Sequence, residues 1–150
     1  MMRQSLAQLT VSTRGEGFTN LTEALNAEIG RSGLRSGLAT IHVQHTSCSL
    51  TVNENADPRV LRDLAAYLRA LVPEEGVRPI SGQGPLRPYA HDDEGPDDMP
   101  AHIRTALTLT SLGLAFDRAR LVLGTWQAVY LWEHRAMPHQ RRICLQLIGE

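Results

Sequence analysis

The alternation of apolar and polar residues over 3–13, with Leu9 and Val11 set between Gln8, Thr10 and Ser12, predicts a first strand that Gly15 and Gly17 close. Asn20 with Glu23 three residues on forms a capping-box pattern, and Leu21, Leu25 and Ile29 make one apolar stripe. Together they predict a helix over 21–30, stopped by Gly30 and Gly33. The next run, Gly37 to Asn55, changes parity partway. Ile41, Val43 and His45 share one face, whereas Cys48, Leu50 and Val52 share the other. Strand side chains alternate strictly, so one straight strand cannot bury both sets, and a bulge or sharp bend is expected at His45-Thr46-Ser47. Beyond the bend Ser47, Ser49, Thr51 and Asn53 line one face, with Glu54 at the end of the strand. A polar hairpin with a surface histidine is the plainer reading of the same stretch. Asp57 and Pro58 then suit the start of a second helix, with Val60, Leu61, Leu64, Ala65, Leu68 and Leu71 on its apolar face and Pro73 as its stop. Arg59, Arg62, Asp63 and Arg69 fall on its solvated side.

From Pro73 to Pro100 the pattern lapses: four glycines, six prolines and the acidic run His91-Asp92-Asp93-Glu94-Gly95-Pro96-Asp97-Asp98 replace any periodicity. Connections of this length are usually functional or disordered, and disorder is the simpler expectation for 74–88. A short third helix over about 100–108 should place His102 in its first turn and turn Ile103, Ala106 and Leu107 inward. The remainder predicts antiparallel sheet. Leu112–Phe116 and Ala119–Leu123 flank an Asp117-Arg118 turn. Trp126, Tyr130 and Trp132 share one face of a run whose other face carries Val129 and Leu131, which marks a central strand. Ile143, Leu145 and Leu147 define a last strand.

With 150 residues the chain suits one domain, long enough to bury about 68–70% of its unfolded surface. No apolar run approaches the ~18–20 residues of a membrane span and the N-terminus has no apolar signal core, so a cytoplasmic protein without a membrane partner is expected. A net charge of −1 with no basic cluster speaks against a nucleic-acid partner. All 15 cationic residues are arginine, which removes Schiff-base and P-loop lysine chemistry. The two cysteines, Cys48 and Cys144, lie in apolar runs with no Cys-x-x-Cys spacing and read as small buried hydrophobes.

Three histidines stand out by their neighbours: His45 at the bend, His91 heading the acidic loop and His102 at a helix start. Three imidazoles with an open fourth position make a catalytic zinc site, whose bound water is a nucleophile near neutral pH. Their spacing is no local ligand motif, and unconnected surface histidines fit equally. Asp92, Asp97 and Asp98 could orient the ligands or hold an oxygen-coordinated magnesium. Glu133-His134-Arg135 ends the central strand, where an arginine suits a bidentate grip on phosphate, or merely marks a charged strand end. Thr46, Ser47 and backbone N–H groups at a bulge could add anion donors. No nucleophile-elbow pattern surrounds Ser47. A metal-independent route would use His45 or His102 as general base with an aspartate partner.

Several blocks in series resemble the YjbQ family, also called secondary thiamine-phosphate synthases. They run Gln44-His45-Thr46-Ser47, Leu50-Thr51-Val52-Asn53-Glu54-Asn55, Asp57-Pro58, Tyr89-x-His91, Asp97-Asp98-Met99-Pro100-x-His102-Ile103, Gly124-Thr125-Trp126-Gln127 and Glu133-His134-Arg135. The resemblance implies an α+β fold with a β-sandwich-like core, two main helices and a short third, assembled as a homotrimer. It implies a metal on His45, His91 and His102, zinc ahead of magnesium. Glu54, Asp97, Asp98 and Arg135 are then candidate catalytic residues, and Thr46, Ser47, Gln127 and His134 candidate ligand-binding ones. The associated reaction joins a pyrimidine diphosphate to a thiazole phosphate with loss of pyrophosphate. The implied substrate is thus a phosphorylated small molecule; a trimer that holds a metal or ligand without turnover is the alternative.

Overall fold

The computed structural model describes residues 1–150, and every strand pairing in it is antiparallel. In chain order the elements are β1 (Arg3–Thr13), β2 (Gly17–Asn20), α1 (Thr22–Ser32), β3 (Gly37–Val43), β4 (Cys48–Glu54), α2 (Pro58–Leu71), α3 (Asp98–Leu107), β5 (Ser111–Asp117), β6 (Arg120–Leu121), β7 (Gln127–Glu133) and β8 (His139–Gly149). They form a five-stranded sheet ordered β1-β8-β3-β5-β6 and a three-stranded sheet ordered β2-β7-β4. The α+β class expected from the sequence is the one found. No helix is long and apolar enough to cross a membrane.

The core lies between the sheets. Ala39, Ile41 and Val43 of β3 and Ile143, Leu145 and Leu147 of β8 meet Cys48 and Leu50 of β4 and Val129 and Leu131 of β7, with Leu21, Leu25 and Ile29 from the α1 region filling one end. The opposite face of the small sheet is also covered. Phe18 and Trp132 pack under Leu64, Leu68 and Val72 of the α2 region and Ile103 of α3. β7 is therefore apolar on both faces because it is a central strand with a layer on each side, as its sequence predicts.

The parity change after Val43 has a larger cause than a bulge. β3 and β4 belong to different sheets, and the residues from Gln44 to Ser47 carry the chain from one layer to the other. Three other expectations shift. α1 runs to Ser32, through Gly30, and ends at Gly33 in the left-handed region; no capping box forms, since Glu23 pairs with Arg120 instead. The β5–β6 turn is centred on Arg118 and Ala119, both at positive φ, one residue beyond Asp117-Arg118. That is the mirror-image turn whose twist matches a hairpin. α3 starts at Asp98 and turns Asp98, Ala101 and Arg104 inward, leaving Ala106 and Leu107 exposed. The 74–88 stretch is tied by a backbone bridge between Val77 and Arg87 (2.9 and 2.8 Å).

Gly37 sits where the β3 backbone lies tight against the end of β8. A Cβ there would lie 2.1 Å from the Ile148 carbonyl oxygen and 2.6 Å from the Gly149 Cα, both backbone atoms. Gly37→Ala must push β3 from β8, and a loss of about 1–3 kcal/mol is expected in urea unfolding.

Candidate functional site

α3 and the loop before it build the site. Pro100 suits the first helical turn, and Asp98 and His102, four residues apart, project from one face. His91 arrives from the acidic loop, which Tyr89 anchors by donating its hydroxyl to the Pro73 carbonyl (2.7 Å). His91 Nε2 lies 2.8 Å from Asp98 Oδ2, and His102 Nε2 lies 3.5 Å from the same oxygen. One donor atom from each of the three residues falls within 4.8 Å of the others.

Each group is oriented from behind. His102 Nδ1 faces the Thr46 carbonyl at 3.0 Å, and a carbonyl only accepts, so Nδ1 carries the proton and Nε2 presents its lone pair. The Thr105 hydroxyl lies 3.1 Å from the same carbonyl and 2.8 Å from that of His102. Asp98 is buried, and its Oδ1 accepts from Arg135 Nη1 at 2.7 Å while Oδ2 faces the imidazoles. Asp97 accepts from Arg135 Nε (3.0 Å) and the Ala136 amide (2.8 Å). Burial alone would raise the pKa of Asp97, but those two donors hold it below the usual carboxylate range.

This donor set fits a divalent cation. A tetrahedral zinc with ligands at ~2.0–2.1 Å needs donors about 3.3 Å apart, and the two Asp98–imidazole distances, 2.8 and 3.5 Å, bracket that spacing. Two imidazoles and one carboxylate leave further coordination positions open. Beside His91 lies a cleft of about 320 Å³ lined by Glu74, Glu75, Tyr89, Asp92 and Met99 among others.

Within one chain the structure groups the sequence-derived ligands differently. His45 is not brought to His91 and His102: its Nε2 accepts the Arg142 amide (2.8 Å), which uses the lone pair a metal would need. Burial first, then Arg141 and Arg142, hold its ring below the ordinary histidine range. The third member of the cluster that could hold a cation is Asp98. Arg135 does not stand open for phosphate, because Asp97, Asp98 and the Glu94 carbonyl occupy its three nitrogens. Thr46 joins the site through its backbone oxygen, and Ser47 turns to Arg141 (2.9 Å). Glu54 and Gln127 pair opposite each other six residues along β4 from Cys48, roughly 20 Å from the end that meets α3, and take no part within one chain.

Behind the site lies a layer in which Glu133 and Arg141 are residues that sequence reasoning did not assign, and which also takes up His134, a candidate ligand-binding residue. Glu133 and Arg141 form a buried ion pair between the sheets, joined by Thr13. Burial works against the Glu133 carboxylate, but the Arg141 and Thr13 hydrogen bonds keep it below its ordinary range. His134 points the other way, onto Trp132, with Nε2 2.8 Å from Ser49 Oγ. Burial, aided by the Arg104 charge, depresses His134 to about 3. An unfolded histidine titrates near 6.5, so between those values the unfolded chain binds the extra proton. Stability from this group is complete above pH ~6.5 and falls as the pH drops toward 3. At pH 5 the loss should be about 2 kcal/mol relative to pH 7, and His134→Gln should remove most of that difference in paired urea titrations. Cys48 is buried with its thiol pushed up to about 12, first by burial, which fits the inert role read from its neighbours. Cys144 is half-buried.

Comparison with known proteins gives a consistent family. The sequence model described as UPF0047 protein YjbQ-like matches residues 7–150. A UPF0047 protein of Synechocystis sp. (sll1880) is 47% identical over 148 residues, covering 99% of this chain and 94% of that one. The UPF0047 protein YjbQ of Escherichia coli O157:H7 is 41% identical over 143 residues, covering 95% and 96%. Among solved structures, a conserved hypothetical protein from Thermus thermophilus superposes with a TM-score of 0.76 at 35% identity, covering 94% of this chain and 98% of that one. A YbjQ-like protein of unknown function from Sulfolobus solfataricus superposes at 0.83 over the whole of both chains; at 20% identity it speaks for the fold alone.

Proposed function

This chain belongs to the UPF0047 YjbQ-like family, and from that footing we propose that it holds a divalent cation on His91, Asp98 and His102 and uses it on a phosphorylated small molecule. The observation that supports the reading is the convergence of those three donors, with the Thr46 carbonyl leaving the His102 Nε2 lone pair free and Asp98 Oδ2 turned to both imidazoles. Two imidazoles favour zinc over magnesium. When bound, such a cation supplies Lewis acidity toward a phosphoryl oxygen or lowers the pKa of a water. The chain's own groups then have distinct tasks. Asp97 and Arg135 hold Asp98 in place, Thr46 fixes the His102 tautomer, and the cleft beside His91 admits the ligand.

Thiamine-phosphate synthesis is the named candidate reaction, in which a positive charge must stabilise the leaving pyrophosphate. Arg135 is committed to Asp97 and Asp98, so that charge would have to come from a cation held by His91, Asp98 and His102. Glu74, Glu75 and Asp92 would repel a bare diphosphate, so such a substrate would enter with magnesium bound to it. Assembly as a homotrimer in the cytoplasm is part of the same proposal. The acidic cleft and the committed arginine also support a second reading, a protein that holds a metal without turnover.

Thiamine phosphate formed from its two halves should be measured with protein stripped by chelation and reloaded with zinc, with and without magnesium. Multiple turnovers that vanish in Asp98→Asn support the enzyme. Stoichiometric metal with no product from a panel of phosphorylated substrates leaves the metal-holding reading. Failure to bind either cation ends both.

A further inference from the structure

The Glu133–Arg141 pair sits where an apolar pair would ordinarily go. Glu133 continues the inward face of Val129 and Leu131 on β7, and Arg141 continues that of Ile143, Leu145 and Leu147 on β8. Both are almost fully buried. Desolvating two charges costs much of what their attraction returns, so stability alone gives little reason for an ion pair here.

Its bonds lead outward in two directions. Glu133 Oε2 accepts from Arg141 Nη2 and from the backbone amide of Arg135 (3.2 Å). That amide opens the turn whose guanidinium grips Asp98 Oδ1 at 2.7 Å. On the other side Arg141 Nη2 donates to Ser47 Oγ (2.9 Å) and approaches the Ser47 carbonyl (3.4 Å). Ser47 directly follows Thr46, whose carbonyl takes the His102 Nδ1 proton at 3.0 Å. One route thus ends on Asp98 and the other on His102, and the two meet where Asp98 Oδ2 and His102 Nε2 stand 3.5 Å apart.

We infer that Glu133 and Arg141 are positioning residues for the His91–Asp98–His102 site: one buried ion pair fixes both the turn that aims Asp98 and the bend that sets the His102 tautomer. The inference rests on the metal reading above only for its purpose; the orientation of His102 is a property of the metal-free chain. Groups that orient metal ligands are typically worth 10–100-fold in affinity.

The test uses the full chain and two readouts. A long-range ¹H–¹⁵N correlation spectrum of the metal-free protein should show His102 as the Nδ1–H tautomer. A cobalt(II) titration, followed by its visible absorption, reports affinity. Glu133→Gln is expected to move His102 away from a pure Nδ1–H state and to weaken cobalt binding about 10–100-fold. Ile29→Ala, a core truncation on α1, controls for lost stability and should change neither. Where Glu133→Gln does not yield folded protein, Ser47→Ala removes a hydroxyl and no charge; it should act in the same direction, weakening cobalt binding about tenfold. A wild-type tautomer and affinity in these variants, or an equal change in Ile29→Ala, overturns the inference. A wild type that takes up no cobalt overturns the metal reading instead, while the tautomer comparison still decides the positioning role.

Discussion

Asp98→Asn is expected to lower zinc or cobalt affinity by more than the ~10–100-fold that follows loss of a ligand-orienting partner, since it removes the charge of a proposed ligand outright. The carboxamide is nearly isosteric. Its oxygen can still accept from Arg135 Nη1, so the turn carrying Arg135 has a partner in place of Asp98 Oδ1. What is lost is the negative donor facing both imidazoles. The amide nitrogen that then faces His91 and His102 bears no lone pair for a cation. His45→Ala is the informative contrast. His45 contacts the Arg142 amide and Arg141 and lies outside the donor cluster, so metal content should stay at the wild-type level. Elemental analysis and calorimetric titration of both variants decide it. Metal retained in Asp98→Asn and lost in His45→Ala would restore the three-histidine set read from the sequence.

That set shows how far the sequence reaches. Local pattern found β1, α2 with its Asp57 cap, the two-faced β7 and the last strand, because each is set by the order of apolar and polar residues along its own segment. It also located the break at residues 45–47. It did not find that β3 and β4 lie in separate sheets, since a bulge and a change of sheet leave the same parity signature. His45 drew attention as a histidine at that break, yet its ring turns back onto β8; only the pairing of β3 with β8 brings Arg142 to it. Asp98 was read with Asp92 and Asp97 as an orienting group or a magnesium ligand and with Asp97 as catalytic, but not as the partner of His91 and His102, because singling it out requires knowing where α3 starts. With the first turn at Asp98, its carboxylate and His102 share a face.

Glu133 and Arg141 did leave a trace. Each is a charge at an inward position of an otherwise apolar alternation, and a charge there calls for an opposite one nearby. A search for charges at buried parity would have named both. Pairing them needed the register: β7 and β8 lie in different sheets, and their inward faces meet only once the sheets stack.

Breaking that pair should cost more stability than any surface change in the molecule. Arg141→Met leaves the Glu133 carboxylate buried with hydrogen bonds only from Thr13 and the Arg135 amide and with His139 3.8 Å away, and removal of one partner of such a pair typically costs about 3–5 kcal/mol. Glu133→Leu strands the guanidinium in the same way. The double variant carries no buried charge, and two apolar side chains fill the gap between Leu131 and Ile143. It leaves the Thr13 and Ser47 hydroxyls without these partners, at about 1–3 kcal/mol together, so recovery should be incomplete. The double variant is accordingly expected to exceed either single one in stability by about 2 kcal/mol or more in urea unfolding, a coupling that a double-mutant cycle reads directly. Stability and positioning then separate. The repaired protein folds, but the tie from Glu133 to the Arg135 amide and the tie from Arg141 to Ser47 are both gone, so cobalt affinity should stay as low as in the single variants. If affinity returned together with stability, the ion pair would serve packing alone, and a hydrophobic junction would have held Asp98 and His102 as well.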